Sequence, residues 1–208
     1  FKGGFELHVQ DLRLPSNGII GLVGENGAGK TTLMSILAGY LKANKVYNVS
    51  SQKPDANVLF IPSDMELYDF LTIEELLRLM KKYSDGEIDE KRLLDTLELT
   101  EKAKCSIDEL SLGMRKKLTL LPLFIKKYDL IILDEPFNSI DLGYIYKLKQ
   151  ILREMKSEST IILSSHILET LVDLCDSFVL ISHGKIKKTF KNDGNIQKVE
   201  GEIFDQGT

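Results

Sequence analysis

Three groups of residues in this chain have the types and spacing to handle a phosphorylated ligand. The first is Gly24-Glu25-Asn26-Gly27-Ala28-Gly29-Lys30-Thr31-Thr32. Its glycines free the backbone to turn consecutive N–H groups inward around phosphate oxygens. Lys30 adds a point charge for the outer phosphates, and the Thr31 hydroxyl is a ligand for Mg²⁺. The second group is the pair Asp134-Glu135. Asp134 can hold the cation through a water, beside Thr31, which leaves Glu135 to orient and deprotonate a water that attacks the terminal phosphate. The third is His166, a donor able to contact that phosphate and the attacking water and so to sense whether the phosphate is present.

Each group needs an element to deliver it. Ile19-Ile20-Gly21-Leu22-Val23 has the length and composition of a buried strand, and residues 33–41 read as a helix, so the glycine loop lies at the positive end of a helix dipole. Leu130-Ile131-Ile132-Leu133 is a second buried strand and ends on Asp134-Glu135-Pro136. Thr160-Ile161-Ile162-Leu163 is a third and leads through Ser164-Ser165 to His166. Helices over 142–155 and 167–174, and a strand over 178–181, complete an alternation that predicts a mostly parallel sheet with ligands at the carboxyl ends of its strands. His183-Gly184-Lys185 is expected to turn the chain into a last strand over 186–190.

Residues 5–14 alternate apolar and polar, the pattern of a half-exposed antiparallel strand, and 45–49 and 57–61 can each form a strand. Between 62 and 127 the character is helical. Thr72 and Glu75 are spaced as a capping box for a helix through Tyr83, leucines 93, 94 and 97 mark a helix over 89–99, and another is expected over 112–125. The reading is one α/β domain over 1–208. Residues 1–61 and 128–190 form its core, 62–127 an inserted helical subdomain, and 191–208 a polar tail.

Composition narrows the classes further. Charged residues are 28% and the hydrophobic set 43% of the chain, ordinary for a soluble globular protein, and the longest apolar runs fall far short of a membrane span. A net charge of −4 gives no basic footprint for nucleic acid, which is not expected as a partner. Cys105 and Cys175 have neither metal-ligand nor disulfide-framework spacing and are expected to be reduced thiols. His8 and His183 lack the context of His166 and read as structural or solvated. No signal peptide is evident, and a first residue Phe1 in place of Met suggests a chain that has lost its true start.

In this context the glycine loop is a Walker A pattern and the Asp134-Glu135 strand a Walker B pattern, the marks of a P-loop NTPase core. The order glycine loop, helical insert, Leu110-Ser111-Leu112-Gly113-Met114, Walker B, Asn138-Ser139-Ile140-Asp141 and Ser165-His166 resembles the nucleotide-binding domain of an ABC transporter, from about Phe5 to Phe190. The segment around Ser111 is the specific marker, since other P-loop families lack it. The resemblance implies ATP and Mg²⁺ as ligands, bound by residues 25–32 and by Thr31 and Asp134, with Glu135 and His166 catalytic. It implies that Ser111, Gly113 and Met114 cap the ATP of a second nucleotide-binding domain, identical or not. A hydroxyl and N–H groups at a helix N-terminus suit that task. It further implies a membrane-spanning permease subunit as partner and a place on the inner, cytoplasmic face of the membrane.

Departures from the family pattern matter. Leu112 stands where a second glycine is usual, and Met114 where glutamine is. The usual glutamine after Phe60-Ile61-Pro62 is replaced by Ser63 or Asp64. Ser63 is expected to reach Mg²⁺, through a water, while Asp64 faces outward. The resemblance also implies an aromatic upstream of the glycine loop that stacks on adenine, and Phe1 is the one placed for it. A signature variant of this kind is similar to bacterial drug or peptide exporters. The rival readings are a nucleotide-gated regulatory module acting on a soluble partner, and a small-molecule P-loop kinase, for which no acceptor lid is present.

Overall fold

The computed structural model describes residues 6–9, 12–42 and 56–204. Its strands are β1 (Gly18–Val23), β2 (Val58–Ile61), β3 (Leu130–Leu133), β4 (Thr160–Leu163), β5 (Ser177–Ser182) and β6 (Lys185–Lys191). They form one sheet in the order β2-β3-β4-β1-β5-β6. The first five run parallel, and β6 returns antiparallel to β5. The return is a two-residue hairpin at His183 and Gly184, whose φ values of 48° and 71° suit the right-handed twist of the strands.

The apolar runs are apolar on both faces because helices cover both. Ile19, Ile131, Leu133, Ile161, Leu163, Phe178 and Leu180 point to one face. There they pack with Leu77, Leu97, Tyr144, Leu148 and Leu171 from α2 (Ile73–Lys81), α3 (Glu90–Leu97), α5 (Leu142–Met155) and α6 (Leu168–Leu174). Ile20, Leu22, Ile132, Ile162, Val179 and Ile181 point to the other, against Leu33 and Met34 of α1 (Lys30–Leu37). The helices between β2 and β3 therefore extend the core of one sheet face. Thr72 and Glu75 form the capping box expected from their spacing.

Four expectations change. The helix expected over 33–41 begins at Lys30 and stops at Leu37. The N–H groups of Gly39 and Tyr40 turn back to the carbonyls of Ile36 and Ser35, which closes its last turn. The helix expected over 112–125 divides into α4 (Leu112–Thr119) and a 3₁₀ turn, Leu121–Phe124. Pro122 lacks an N–H and its ring crowds the preceding turn. The polar tail holds α7 (Ile196–Phe204), begun where the Asn195 side chain accepts from Lys198 N and buried through Val199 against α6. Of the N-terminal strand expected over 5–14, His8 makes one bridge to Lys185, and it is parallel. Phe5, Gln10, Asp11 and the strand expected over 45–49 lie outside the described residues. Among the described residues no helix is long and apolar enough to cross a membrane.

One ion-pair cluster joins the helical insert to the sheet layer. Lys117 on α4 reaches Glu98, which ends α3, at 2.6 Å, and Asp141, which caps α5, at 3.0 Å. Its ammonium also lies 4.4 Å from the centre of the Tyr144 ring. Burial opposes the charge, but the two carboxylates outweigh it and hold the Lys117 pKa above the ordinary lysine value. Lys117→Ala leaves both carboxylates without this partner. With about 2 kcal/mol lost, the expected fall in Tm is roughly 4–8 °C, and Lys117→Arg should recover most of it. Calorimetry that finds equal Tm values for Lys117→Ala and wild type would show that the cluster contributes nothing to stability.

Candidate active site

The parallel register brings the strand ends to one level, since Ile61 pairs with Leu133, Leu133 with Leu163, and Leu163 with Gly21. The residues that follow emerge together at one edge of the sheet. After β1 comes the glycine loop. Gly24 has φ 153°, and a Cβ there would lie 2.1 Å from the Ile181 carbonyl oxygen. Gly29, at φ 106°, starts α1 in a left-handed conformation. No side chain caps α1 and its first turn has no acidic residue, so the leading N–H groups are open to an anion. The loop is fixed to the sheet edge by the bond from Gly184 N to Ala28 O, 2.9 Å. Lys30 Nζ donates to the carbonyls of Gly24 (2.7 Å) and Glu25 (3.1 Å). Burial pushes its pKa down, against the nearby charges of Glu135 and Asp134.

Consecutive strand residues point to opposite faces, which would send Asp134 and Glu135 apart. Glu135 escapes that alternation with φ 51°. Both carboxylates then line one cleft. Asp134 is gripped twice: Thr31 Oγ1 donates to Oδ2 and Ser164 Oγ donates to Oδ1, each at 2.6 Å. The Ser164 hydroxyl also accepts from Glu135 N at 3.0 Å. Glu135 is 6% exposed, and its Oε2 accepts from His166 N at 3.1 Å. Its Oε1 lies 3.1 Å from His166 Nε2, without hydrogen-bond geometry. Burial raises the Glu135 pKa, with Asp134 adding to the rise and His166 and Lys30 opposing it. A carboxylate so placed is a stronger base than one in water.

The cleft, about 510 Å³, is lined by Asn26, Gly27, Gly29, Lys30, Thr31, Thr32, Ser63, Asp134, Glu135 and His166. All ten were singled out from sequence. Glu25 and Ala28 belong to the same loop but do not line the cleft, the first exposed and the second buried. Ser63 lines the cleft and the exposed Asp64 does not. Ser111, Gly113 and Met114 stand apart from it at the start of α4, where the Ser111 hydroxyl accepts from Met114 N at 3.3 Å and keeps its own proton free to donate. Leu112 beside them is 69% exposed. Phe1 lies outside the described residues. Sequence reasoning missed Ser164, which is fully buried and joins the two carboxylate-bearing residues. Its signal was the hydroxyl pair Ser164-Ser165 between an apolar strand and His166.

Thr31 and Asp134 supply hard oxygen donors beside the open N–H groups of α1, a set suited to Mg²⁺. Among the described residues no cluster of three or more His, Cys, Asp or Glu could hold a metal alone. Such an ion would complete its shell with water and phosphate oxygens.

The raised Glu135 pKa carries a stability consequence. The folded state binds this proton more tightly than the unfolded chain, so the group's contribution is fully present below the ordinary carboxylate range and is lost as pH rises through the raised value. Glu135→Gln, which is never ionised, should match wild type in Tm near pH 4 and exceed it near pH 8. Differential scanning calorimetry at both pH values checks this, and a gap that widens towards acid would contradict it.

Comparison with known proteins follows the same lines. A family model described as ABC transporter matches residues 7–138. The "Uncharacterized ABC transporter ATP-binding protein YdbJ" of Bacillus subtilis is 31% identical over 201 residues, 90% of this chain and 65% of that protein. A protein of Methanocaldococcus jannaschii, likewise described as an uncharacterized ABC transporter ATP-binding protein, is 33% identical over 173 residues, 80% and 64% of the two chains. This chain thus spans just under two thirds of the length of these relatives. A solved structure described as the ATP binding subunit of an ABC transporter superposes with a TM-score of 0.74 at 29% identity, over 88% of this chain and 82% of the other.

Proposed function

Because the chain belongs to the ABC transporter family, we propose that it is the ATP-hydrolysing subunit of a transporter, working with a second nucleotide-binding domain and a membrane-spanning permease. The observation that carries the reading is the convergence of the glycine loop, the Asp134-Glu135 pair and His166 on one cleft.

In that cleft the loop N–H groups and Lys30 bind the phosphate chain, and Thr31, Asp134 and the cleft-lining Ser63 would hold Mg²⁺. When bound there, Mg²⁺ would supply positive charge to offset that developing on the transferred phosphate. Glu135 takes the proton of the attacking water, helped by its raised pKa. His166 stands on the same carboxylate and donates to the terminal phosphate, so that its contact depends on that phosphate being there.

Ser111, Gly113 and Met114 lie outside the cleft, which supports their serving the nucleotide of a second domain, identical or not. Exposed Tyr68 and Phe70, 61% and 79% exposed on the loop between β2 and α2, offer the permease an apolar contact near Ser63. That pairing would keep the subunit on the inner face of the membrane. Export as the direction rests on the resemblance of the signature variant alone. A regulatory module acting on a soluble partner is less favoured, because the relatives above are described as transporter ATP-binding proteins. Lys30→Ala should weaken ATP binding by about tenfold to a hundredfold, the contribution of one charge-assisted phosphate contact. Titration of the folded variant with fluorescent ATP checks it, and unchanged affinity would move the nucleotide elsewhere.

A further inference from the structure

α4 carries two buried lysines in succession, Lys116 and Lys117, each 8% exposed. Lys117 has two carboxylate partners. Lys116 has none in direct contact among the described residues. Its Nζ donates to the backbone carbonyl of Ser63 at 3.4 Å, and the charges it senses are those of Asp134, Glu135 and Asp64. A buried ammonium without a carboxylate partner destabilises a fold, and an apolar side chain of similar length would pack there more favourably. Lys116 itself does not line the cleft, whereas Ser63 does.

We propose that Lys116 is a positioning residue for ATP hydrolysis, holding the loop after β2 at Ser63 against the carboxylate edge of the cleft. The inference rests on the ATPase reading above. Lys116 grips the main chain, so the loop's place is set by α4 whichever side chain stands at 63. The helix that begins at Ser111 is thereby joined to the Mg²⁺ side of the site, and a shift of α4 reaches Ser63 directly. The ammonium also brings positive charge towards two adjacent carboxylates in a partly buried setting, where charges are screened least.

The test uses Lys116→Met and Lys116→Arg in the full-length protein. Tm, the KM and kcat for ATP, and the Mg²⁺ midpoint for thermal protection by a non-hydrolysable ATP analogue are measured for each. Lys116→Met should have an unchanged or raised Tm and a KM within about twofold of wild type. Its kcat should fall, and its Mg²⁺ midpoint rise, by about tenfold, as for groups that orient a metal site from behind. Lys116→Arg should restore most of both. A Lys116→Met protein with wild-type kcat and Mg²⁺ midpoint overturns the inference, as does a loss that Lys116→Arg leaves unrepaired. Absence of ATP turnover in wild type would instead remove the ATPase reading and this inference with it.

Discussion

Asp134 is held from two sides at once, by the Thr31 hydroxyl from α1 and the Ser164 hydroxyl from β4, and these two short bonds fix the rest of the site. Ser164 passes the constraint on by accepting from Glu135 N, and Glu135 passes it to His166. Four segments are thus tied before any ligand arrives: the glycine loop with α1, the ends of β3 and β4, and the turn into α6. Charge-assisted bonds of this kind are about twice as strong as neutral ones, and in a half-buried site they keep donors aimed where a phosphate would sit.

That order depends on a balance of buried charge. Burial works against the ammonium of Lys30 and against the carboxylate of Glu135, and each partly supports the other. Lys116 extends the same pattern to α4, where it bonds the Ser63 carbonyl, whereas the neighbouring Lys117 is compensated by Glu98 and Asp141 at the joint with α5. Stability is given up at Lys30, Glu135 and Lys116, in keeping with sites where local rules yield to chemistry.

The sheet and the cleft were legible because their signals are local. The apolar runs at 19–23, 130–133 and 160–163 each end on residues that turned out to line the cleft or to brace it. The Thr72-Glu75 capping box of the insert was equally local. What escaped needed the third dimension. Ser164 reads as an ordinary polar residue until β4 lies beside β3. Lys116 reads as one charge in a solvated run, and only packing of α4 reveals that it is buried. The helix in the tail had a signal, since Ile196, Val199 and Ile203 fall on one face behind Asn195, but its polar neighbours hid the period.

The central claim is that Glu135 is the base of a site built to bind ATP without it. The most direct measurement compares equilibrium ATP binding with the single-turnover hydrolysis rate for wild type and Glu135→Gln. Binding should stay within about threefold while the rate falls by roughly 10²–10⁴, the contribution of a positioned base. Near-normal turnover by Glu135→Gln would contradict the claim and transfer the role to His166.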